Sequence, residues 1–367
     1  MDAETKAFVS FSVFPGIGPV RFTLLVSYFG SAEKAWNAPV GELKHINLGE
    51  KLTEKFEHFR KTFDIDEYIA QLETLHVSVL TNTNPKYPKL LRQIPDAPFL
   101  LYILGKKTSQ PIDMSRTIAI VGTRNITPYG RDITERLTRG LVECGFTIVS
   151  GMAYGVDAVA HKTALECGGK TIAVLGCGID IIAPPSNAHL YHAIADGGGA
   201  IVSEMPLGLR PNKGLFPARN RIISGLSLGV VVTEGADDSG ALITARNAGE
   251  QGREVFAVPG PVTSRYSKGP AKLLKNGATL VETTDDILDG LGVSIGQRRR
   301  VQANAYHAHS KEEQKILDAL GEKRMQIDEL IRYVNLTTNV VTATVTLLEM
   351  NGIIKDYGEK EYGLINN

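Results

Sequence analysis

A run of basic residues in an otherwise neutral chain lies between residues 209 and 223, which read LRPNKGLFPARNRII. The run holds four cations and no acid: Arg210, Lys213, Arg219 and Arg221. Local positive charge of this kind is typical of a site for phosphate groups or nucleic acid. Phe216 lies among the cations, where its ring can stack on a base, and packing in the core is the alternative. Since Arg219 and Arg221 stand two residues apart, they cannot share one helix face, and we expect one of them to be structural.

Small residues follow the short apolar runs in the middle of the chain. The turns they form include Gly122-Thr123-Arg124, Ser150-Gly151-Met152-Ala153 and Pro259-Gly260. Glycine allows close approach of the backbone to a ligand, and free amides at the start of a following helix attract phosphate. Arg124 would reach two phosphate oxygens from the tip of its turn, unless a local carboxylate pairs with it. Ser239 is predicted to cap a helix that begins beside the same pocket.

Motifs of known nucleotide enzymes are missing from the sequence. The turn GTRNITPYG does not match GxGxxG, and no GxxxxGK[ST] occurs. Glu204 and Glu234 follow predicted strands, so a general acid–base pair is one interpretation, and hydrogen bonding to loop amides or arginines is the other. His161 lies on an apolar helix without a second histidine at ligand spacing, which favours a structural role. We predict no catalytic residue, no metal and no cofactor.

The composition is that of a soluble globular protein, with 43% hydrophobic and 22% charged residues. A length of 367 residues predicts two or three domains. Because basic and acidic residues number 40 each, a polyanion site must be a local cluster. Three cysteines without a CxxC pair favour a reduced, cytoplasmic compartment. The sequence has no basic leader and no apolar run of about 20 residues, so we expect neither secretion nor a membrane partner.

Seven short apolar runs alternate with helix-length segments between residues 117 and 290. They cover residues 117–121, 146–149, 170–175, 200–202, 230–233, 255–258 and 279–281. Each run has too few polar residues to leave one face in water, which predicts strands buried on both sides. The pattern predicts a doubly wound, mostly parallel, Rossmann-like α/β sheet with helices on both faces. In such a sheet ligands bind beyond the carboxyl ends of the strands, where the glycine turns lie.

A smaller domain is predicted on each side of this core. Residues 1–65 show helical spacing and contain the turn PGIGP, which resembles a helix-hairpin-helix. Residues 66–292 form the core, in which a proline-punctuated connector at 66–116 holds one or two short strands. A linker at 293–310 leads to a winged-helix domain of three helices and two strands at 311–367. Its third helix carries no Lys or Arg, which favours protein contact or packing over reading of a DNA groove.

The order and spacing of these segments closely resemble those of the DNA-processing protein DprA (Smf) family. The similar motifs are VGTR at 121–124, SGMAYGVD at 150–157, AH at 160–161, TIAVLG at 171–176, FPARNRIISGL at 216–226, SGALITA at 239–245 and VFAVPG at 255–260. They cover most of residues 80–290, and no single motif carries the likeness. Family members have an extended Rossmann core, often with a helical head of sterile-alpha or helix-hairpin-helix type and a winged-helix tail.

The resemblance implies a cytoplasmic, single-stranded DNA-binding protein of natural transformation, without a known catalytic turnover. Such a protein protects incoming DNA and loads the RecA recombinase onto it. The resemblance also implies a homodimer that forms at the far end of the Rossmann core, here near Leu273, Leu274 and Leu280.

Carried over to this sequence, the resemblance predicts a DNA-binding set around the turns and the basic run. The set is Gly122, Thr123, Arg124, Gly151, Ala153, Lys213, Phe216, Arg219, Asn220, Arg221 and Ser239. Arg124 would enter the DNA pocket, Lys213 matches a phosphate-binding lysine, and Phe216 matches a base-contacting aromatic. Gly151 and Ala153 resemble the small residues that let the strand pass close. Relatives have Tyr-Pro where this chain has Ala183-Pro184, and some follow it with a lysine instead of Pro185, which puts one DNA contact in doubt.

A nucleotide-processing enzyme is the competing hypothesis. Related Rossmann-like families, the phosphoribohydrolases, use a glycine-rich turn and a glutamate to cleave nucleotide N-glycosidic bonds. Glu234-Gly235 before Ser239-Gly240 fits that chemistry. The DprA-like order of the motifs and the segment Arg219-Asn220-Arg221 favour binding of a nucleic acid polymer over processing of a single nucleotide.

Overall fold

The structure is a computed structural model. It describes residues 1–43, 46, 48–105, 114–293, 310–351 and 353–364. The chain divides into a larger compact unit, Met1–Val142 with Phe146–Ile287, and a smaller one, Glu143–Gly145 with Leu288–Asn367. Most of the predicted linker at 293–310 lies outside the described residues.

The larger unit is built on a nine-stranded sheet. Its strands are β1 (Ser78–Thr81), β2 (Leu100–Leu104), β3 (Thr117–Val121), β4 (Thr147–Ser150), β5 (Thr171–Leu175), β6 (Gly199–Ser203), β7 (Gly229–Val232), β8 (Glu254–Ala257) and β9 (Thr279–Leu280), in the order β1-β2-β6-β5-β4-β3-β7-β8-β9. Strands β3 to β9 run parallel, and β1 and β2 add an antiparallel edge. This sheet confirms the predicted fold class. Each of the seven predicted runs lies within one residue of the observed strand bounds.

Helices precede the sheet along the chain. They are α1 (Ala3–Val13), α2 (Pro19–Phe29), α3 (Ala32–Asn37), α4 (Val40–Leu43), α5 (Glu50–Thr62) and α6 (Ile65–Thr74). Their aromatic core continues into the sheet region, because Phe22 stacks on Phe99 with ring centroids 4.0 Å apart. Helix α6 extends the helical part to Thr74, and the connector after it holds the two strands β1 and β2. The domain boundary at residue 65 stays a prediction.

Further helices cover both faces of the sheet. They are α7 (Lys89–Arg92), α8 (Pro128–Glu143), α9 (Val156–Glu166), α10 (Ala188–Ala193), α11 (Leu215–Gly225), α12 (Ala241–Glu250), α13 (Lys268–Lys275) and α14 (Thr284–Gly290). Along β5, Ile172 and Val174 enter one apolar core, and Ala173 and Leu175 enter the other. This double burial explains the continuous apolar runs. None of the helices within the described ranges is long and apolar enough to cross a membrane.

The smaller unit contains a winged helix, as predicted. Its elements are α15 (Lys311–Glu322), β10 (Met325–Gln326), α16 (Ile327–Val334), α17 (Thr338–Met350), β11 (Ile354–Asp356) and β12 (Glu361–Leu364). The strands form an antiparallel sheet in the order β10-β12-β11. Leu320, Leu330, Val345 and Ile354 share one core, which holds the helices on the sheet.

His161 has the structural role that its sequence context favoured. Its side chain is fully buried on α9, and Nδ1 lies 2.7 Å from the Thr171 hydroxyl. That hydroxyl donates its own hydrogen to the Ile148 carbonyl, so Nδ1–H must be the donor in the bond to Thr171. Burial, together with the charge of Arg219, lowers the pKa of His161 to about 3. The described residues contain no group of three or more side chains able to hold a metal ion.

His161 should make the protein sensitive to mild acid. Because its pKa is far below the 6.5 of an exposed histidine, the unfolded chain takes up the proton first as the pH falls. Stability is therefore lost from about pH 6.5 downwards, and between pH 7 and pH 5 the loss should be about 2 kcal/mol. We expect His161→Asn to show a smaller loss in urea denaturation at the two pH values. His58→Asn, which alters an exposed histidine, is the control; equal acid sensitivity in all three proteins would contradict the prediction.

Candidate functional site

A cleft of about 540 Å³ lies where the strand order reverses. Strand β3 pairs with β4 on one side and with β7 on the other. Strands β4 to β6 therefore extend the sheet to one side of β3, and β7 to β9 extend it to the other side. The loops after β3 and β7 meet there, since the Thr123 amide donates to the Glu234 carbonyl at 2.7 Å. This is the position at which open parallel sheets bind their ligands.

The floor of the cleft depends on a buried arginine. Arg219 on α11 is 4% exposed, and its guanidinium donates to the carbonyl oxygens of Gly151, at 2.7 Å, and of Val174. These two carbonyls belong to the tips of neighbouring strands, so one side chain fixes both. Burial lowers the pKa of Arg219 to about 10, which still leaves it charged at neutral pH.

Asp157 is the buried counter-charge of Arg219. Its carboxylate accepts from the amides of Gly151, at 3.0 Å, and of Ala153, at 3.3 Å. Burial raises the pKa of Asp157, and the charge of Arg219 acts against that rise. The turn after β4 is therefore held by two side chains: its amides donate to Asp157, and its Gly151 carbonyl accepts from Arg219.

Gly151 must be a glycine because of this arrangement. A Cβ at this position would lie 2.7 Å from Nη2 of Arg219. Gly151 itself does not line the cleft, whereas Ala153 and Arg219 do. Its predicted contact with DNA stays a prediction, and in the structure its backbone packs directly against the Arg219 guanidinium.

Glu234 fixes the loop after β3. It is 3% exposed, and its carboxylate accepts from both the amide and the hydroxyl of Thr127, at 3.0 and 2.7 Å. Gly130 on α8 leaves the space that the carboxylate fills, since a Cβ there would lie 2.0 Å from it. Of the two interpretations of Glu234, the structure supports hydrogen bonding to the loop.

Arg124 and Phe216 form the mouth of the cleft. Arg124 is exposed on the loop after β3, and its Cζ lies 5.3 Å from the centre of the half-buried Phe216 ring. Both residues line the cleft, so the core interpretation of Phe216 is wrong. A guanidinium in this position is attracted by the π electrons of the ring.

Lys213 is presented by a tight turn at the start of α11. The Asn212 side-chain oxygen accepts from the amides of Gly214, at 3.0 Å, and of Leu215, at 3.2 Å. This turn closes the backbone behind Lys213 and leaves the lysine exposed at the cleft. Lys213 and Phe216, at the start of α11, thus converge with Arg124, which lies about 90 residues earlier in the sequence.

The start of α12 completes the wall of the cleft. Gly240 is the N-cap of α12, so the prediction of Ser239 as the cap is wrong by one residue. The Ser239 hydroxyl instead accepts from the Ala241 amide at 3.3 Å, and Asn220 donates to the Gly240 carbonyl at 3.2 Å. Ser239 and Asn220 both line the cleft.

Arg221 lies outside the cleft lining, so its predicted DNA contact is not supported by the geometry. Its Nη2 lies 2.7 Å from both oxygens of Glu204, and its Nε lies 3.0 Å from Asp96. We expected one of the two arginines to be structural, and both are: Arg219 donates to backbone carbonyls and Arg221 pairs with Glu204. Both carboxylate oxygens of Glu204 accept hydrogen bonds from Arg221. Burial raises the pKa of Glu204.

The structure brings most of the predicted set together in one place. Nine members line the cleft: Gly122, Thr123, Arg124, Ala153, Lys213, Phe216, Arg219, Asn220 and Ser239. Sequence reasoning missed Arg265 and Tyr266, which line the cleft from the loop after β8. Their signal was available, because the turn Pro259-Gly260 had marked that loop as a strand end.

Comparisons with known proteins agree with this geometry. The family model "DNA recombination-mediator protein A" matches residues 78–292, and the model "DprA winged helix domain" matches residues 301–357. This chain belongs to the DNA recombination-mediator protein A family. The family resemblance seen in the sequence is thereby confirmed.

Relatives of this family member include proteins of similar length. Protein Smf of Synechocystis is 34% identical over 96% of this chain and 97% of its own. The crystal structure of DprA from Streptococcus pneumoniae has a TM-score of 0.67 at 32% identity, and it covers 79% of this chain and 98% of its own. DprA from Helicobacter pylori, described with a unique single-stranded DNA binding mode, has a TM-score of 0.52 at 32% identity over 59% and 96% of the two chains.

Substitution of Gly151 should disturb the floor of the cleft. In Gly151→Ala the new methyl group meets the Arg219 guanidinium, and we expect a loss of about 1–3 kcal/mol in the free energy of unfolding. The matched control is Gly249→Ala, at an exposed position of α12 where an added Cβ meets nothing within 4 Å. Urea denaturation measures both variants. Equal stability of the two would show that Arg219 does not require the glycine.

Proposed function

We propose that this chain binds single-stranded DNA in the cleft, as a protein of natural transformation that protects incoming DNA and loads RecA onto it. The observation that carries the proposal is the convergence of Arg124, Lys213 and Phe216 at one mouth. Exposed cations there suit phosphate groups, and a half-buried ring suits the face of a base. The described binding mode of the Helicobacter pylori relative supports the same ligand.

Unpaired bases suit this cleft better than a duplex does. Stacking on Phe216 needs a free base face, which a duplex hides between its neighbouring base pairs. The only acidic side chains that line the cleft, within the described residues, are Asp157 and Asp238. Asp157 is held by the turn after β4, and Asp238 lies 3.8 Å from Arg265. The mouth therefore keeps a surplus of positive charge for a polyanion.

We propose that the protein has no catalytic turnover. An N-glycosidic bond-cleaving enzyme needs a carboxylate that faces its substrate, and both candidates are used elsewhere. Glu234 holds the loop at Thr127, and Glu204 holds Arg221. The two carboxylates thus act as structural hydrogen-bond acceptors in separate places.

A homodimer at the β9 edge is part of the proposal. Strand β9 is an edge strand of the sheet, and its Leu280 is 48% exposed. Leu273 and Leu274 on α13 are half-buried beside it. An exposed sheet edge with apolar side chains is a typical surface for pairing between copies. The cytoplasmic location and the protein-contact role of the winged helix are proposed on the family resemblance.

Removal of the two exposed cations should weaken binding to single strands. In Arg124→Ala and Lys213→Ala each lost phosphate contact should reduce the slope of log affinity against log salt by about 0.7. Phe216→Ala should cost about 1–3 kcal/mol of binding free energy through lost stacking. Fluorescence anisotropy with labelled oligothymidylate at several salt concentrations measures these effects.

Lys86→Ala is the control for this series, because it removes an exposed charge that lies outside the cleft lining. Its affinity should stay close to that of the wild type. Unchanged affinity in both Arg124→Ala and Lys213→Ala would remove the cleft as the binding site. Tighter binding of the wild type to duplex than to single strands would contradict the proposed ligand.

The competing enzyme has its own assay. Incubation with nucleoside monophosphates should release no free base on chromatography, because Glu234 is not available to the substrate. Turnover that Glu234→Gln abolishes, without a loss of folded protein by circular dichroism, would contradict the proposal and favour the phosphoribohydrolase-like enzyme.

A further inference from the structure

A second groove, of about 380 Å³, lies on the other side of the loop after β3. It shares Arg124 and Asn125 with the cleft, so the two depressions are separated only by the tip of that loop. Its other walls come from α8, from the turn between β4 and α9, from α9 and from the segment that leads into α10. A polymer that leaves the cleft over Arg124 therefore enters this groove next.

The groove has the same chemical character as the cleft. Arg131 of α8 and Lys162 of α9 line it, both exposed, and Tyr154 presents a ring that is 49% exposed. Among the described residues that line it, none is acidic. Cations and an aromatic ring along one surface are the combination by which proteins hold single strands without sequence preference.

The charges next to the groove leave its cations available. Lys162 lies 3.5 Å from Glu166 on the same helix, but both side chains are more than half exposed, and an exposed pair of this kind contributes little. Asp132 and Glu135 line a separate depression, which shares Arg131 with the groove. The acids therefore border the groove and do not line it.

The turn that carries Tyr154 is hydrogen-bonded to the segment that leads into α10. Asn187 donates to the carbonyl oxygens of Met152, at 2.9 Å, and of Ala153, at 3.3 Å, and Asn187 itself lines the groove. Ala153 lines the cleft, so residues 153 and 154 face the two depressions in succession. The groove and the cleft are thus two parts of one built surface.

We propose that the groove is a second subsite for single-stranded DNA, in which Arg131 and Lys162 bind phosphates and Tyr154 stacks on a base. The strand enters it from the cleft by passing over Arg124. This inference rests on the proposed function of the cleft, and it adds the path and the length of the bound strand.

Oligonucleotides of two lengths separate the subsites. The full-length double variant Arg131→Ala/Lys162→Ala is titrated with a short oligothymidylate of about four nucleotides, which the cleft alone accommodates, and with one of about 20. For the long strand we expect the slope of log affinity against log salt to become less steep by about 1.4. The ratio of wild-type to variant affinity should therefore decrease about sevenfold between 50 and 200 mM salt. For the short strand we expect the affinity to be unchanged. Tyr154→Leu should lose about tenfold with the long strand only.

The control removes the same charge elsewhere on the larger unit. Lys86 and Lys89 are exposed and line neither depression, so Lys86→Ala/Lys89→Ala should bind both strands like the wild type. Equal affinity of the wild type and the groove variants for the long strand would overturn the second subsite, and so would an equal loss with both strands. If Arg124→Ala and Lys213→Ala both leave short-strand binding intact, the proposed function of the cleft fails, which is a different result.

Discussion

The architecture of the cleft depends on one buried ionic interaction. Arg219 holds its charge inside the protein because two strand-tip carbonyls accept hydrogen bonds from its guanidinium and Asp157 supplies the opposite charge nearby. A buried ion without such partners would be strongly destabilising. The strand tips after β4 and β5 are therefore held by a side chain of α11, and the same helix presents Phe216 and, just before its start, Lys213. Residues at the mouth of the cleft and buried structural residues alternate on this short segment.

The fold could be predicted from the sequence because strands that are buried on both faces appear as continuous runs of apolar residues. The strands from β3 to β7 have no face in water, so their apolar runs are continuous and their bounds were found within one residue. The antiparallel edge was less visible, since β1 has a partly exposed pattern and lies among prolines. The sequence suggested only that one or two short strands exist there.

Most of the residues that line the cleft could be predicted from the sequence, but the contacts that each of them makes could not. Basic residues at 210–221 all look alike in the sequence, yet Lys213 is exposed at the cleft, Arg219 is buried beneath it and Arg221 is paired with Glu204 and Asp96. Which role each one takes depends on contacts with β4, β5 and the connector, which are distant in sequence. Spacing could show that Arg219 and Arg221 point in different directions, but it could not show that both are structural.

The stacking of Arg124 on Phe216 has a consequence for the empty protein. An exposed aromatic ring at the mouth of a pocket favours non-specific association with other apolar surfaces. Here the guanidinium of Arg124 lies over the ring, with Cζ 5.3 Å from the ring centre. If the proposed function holds, the protein can keep this ring available for a nucleobase without exposing it to the hydrophobic surfaces of neighbouring proteins in a crowded solution.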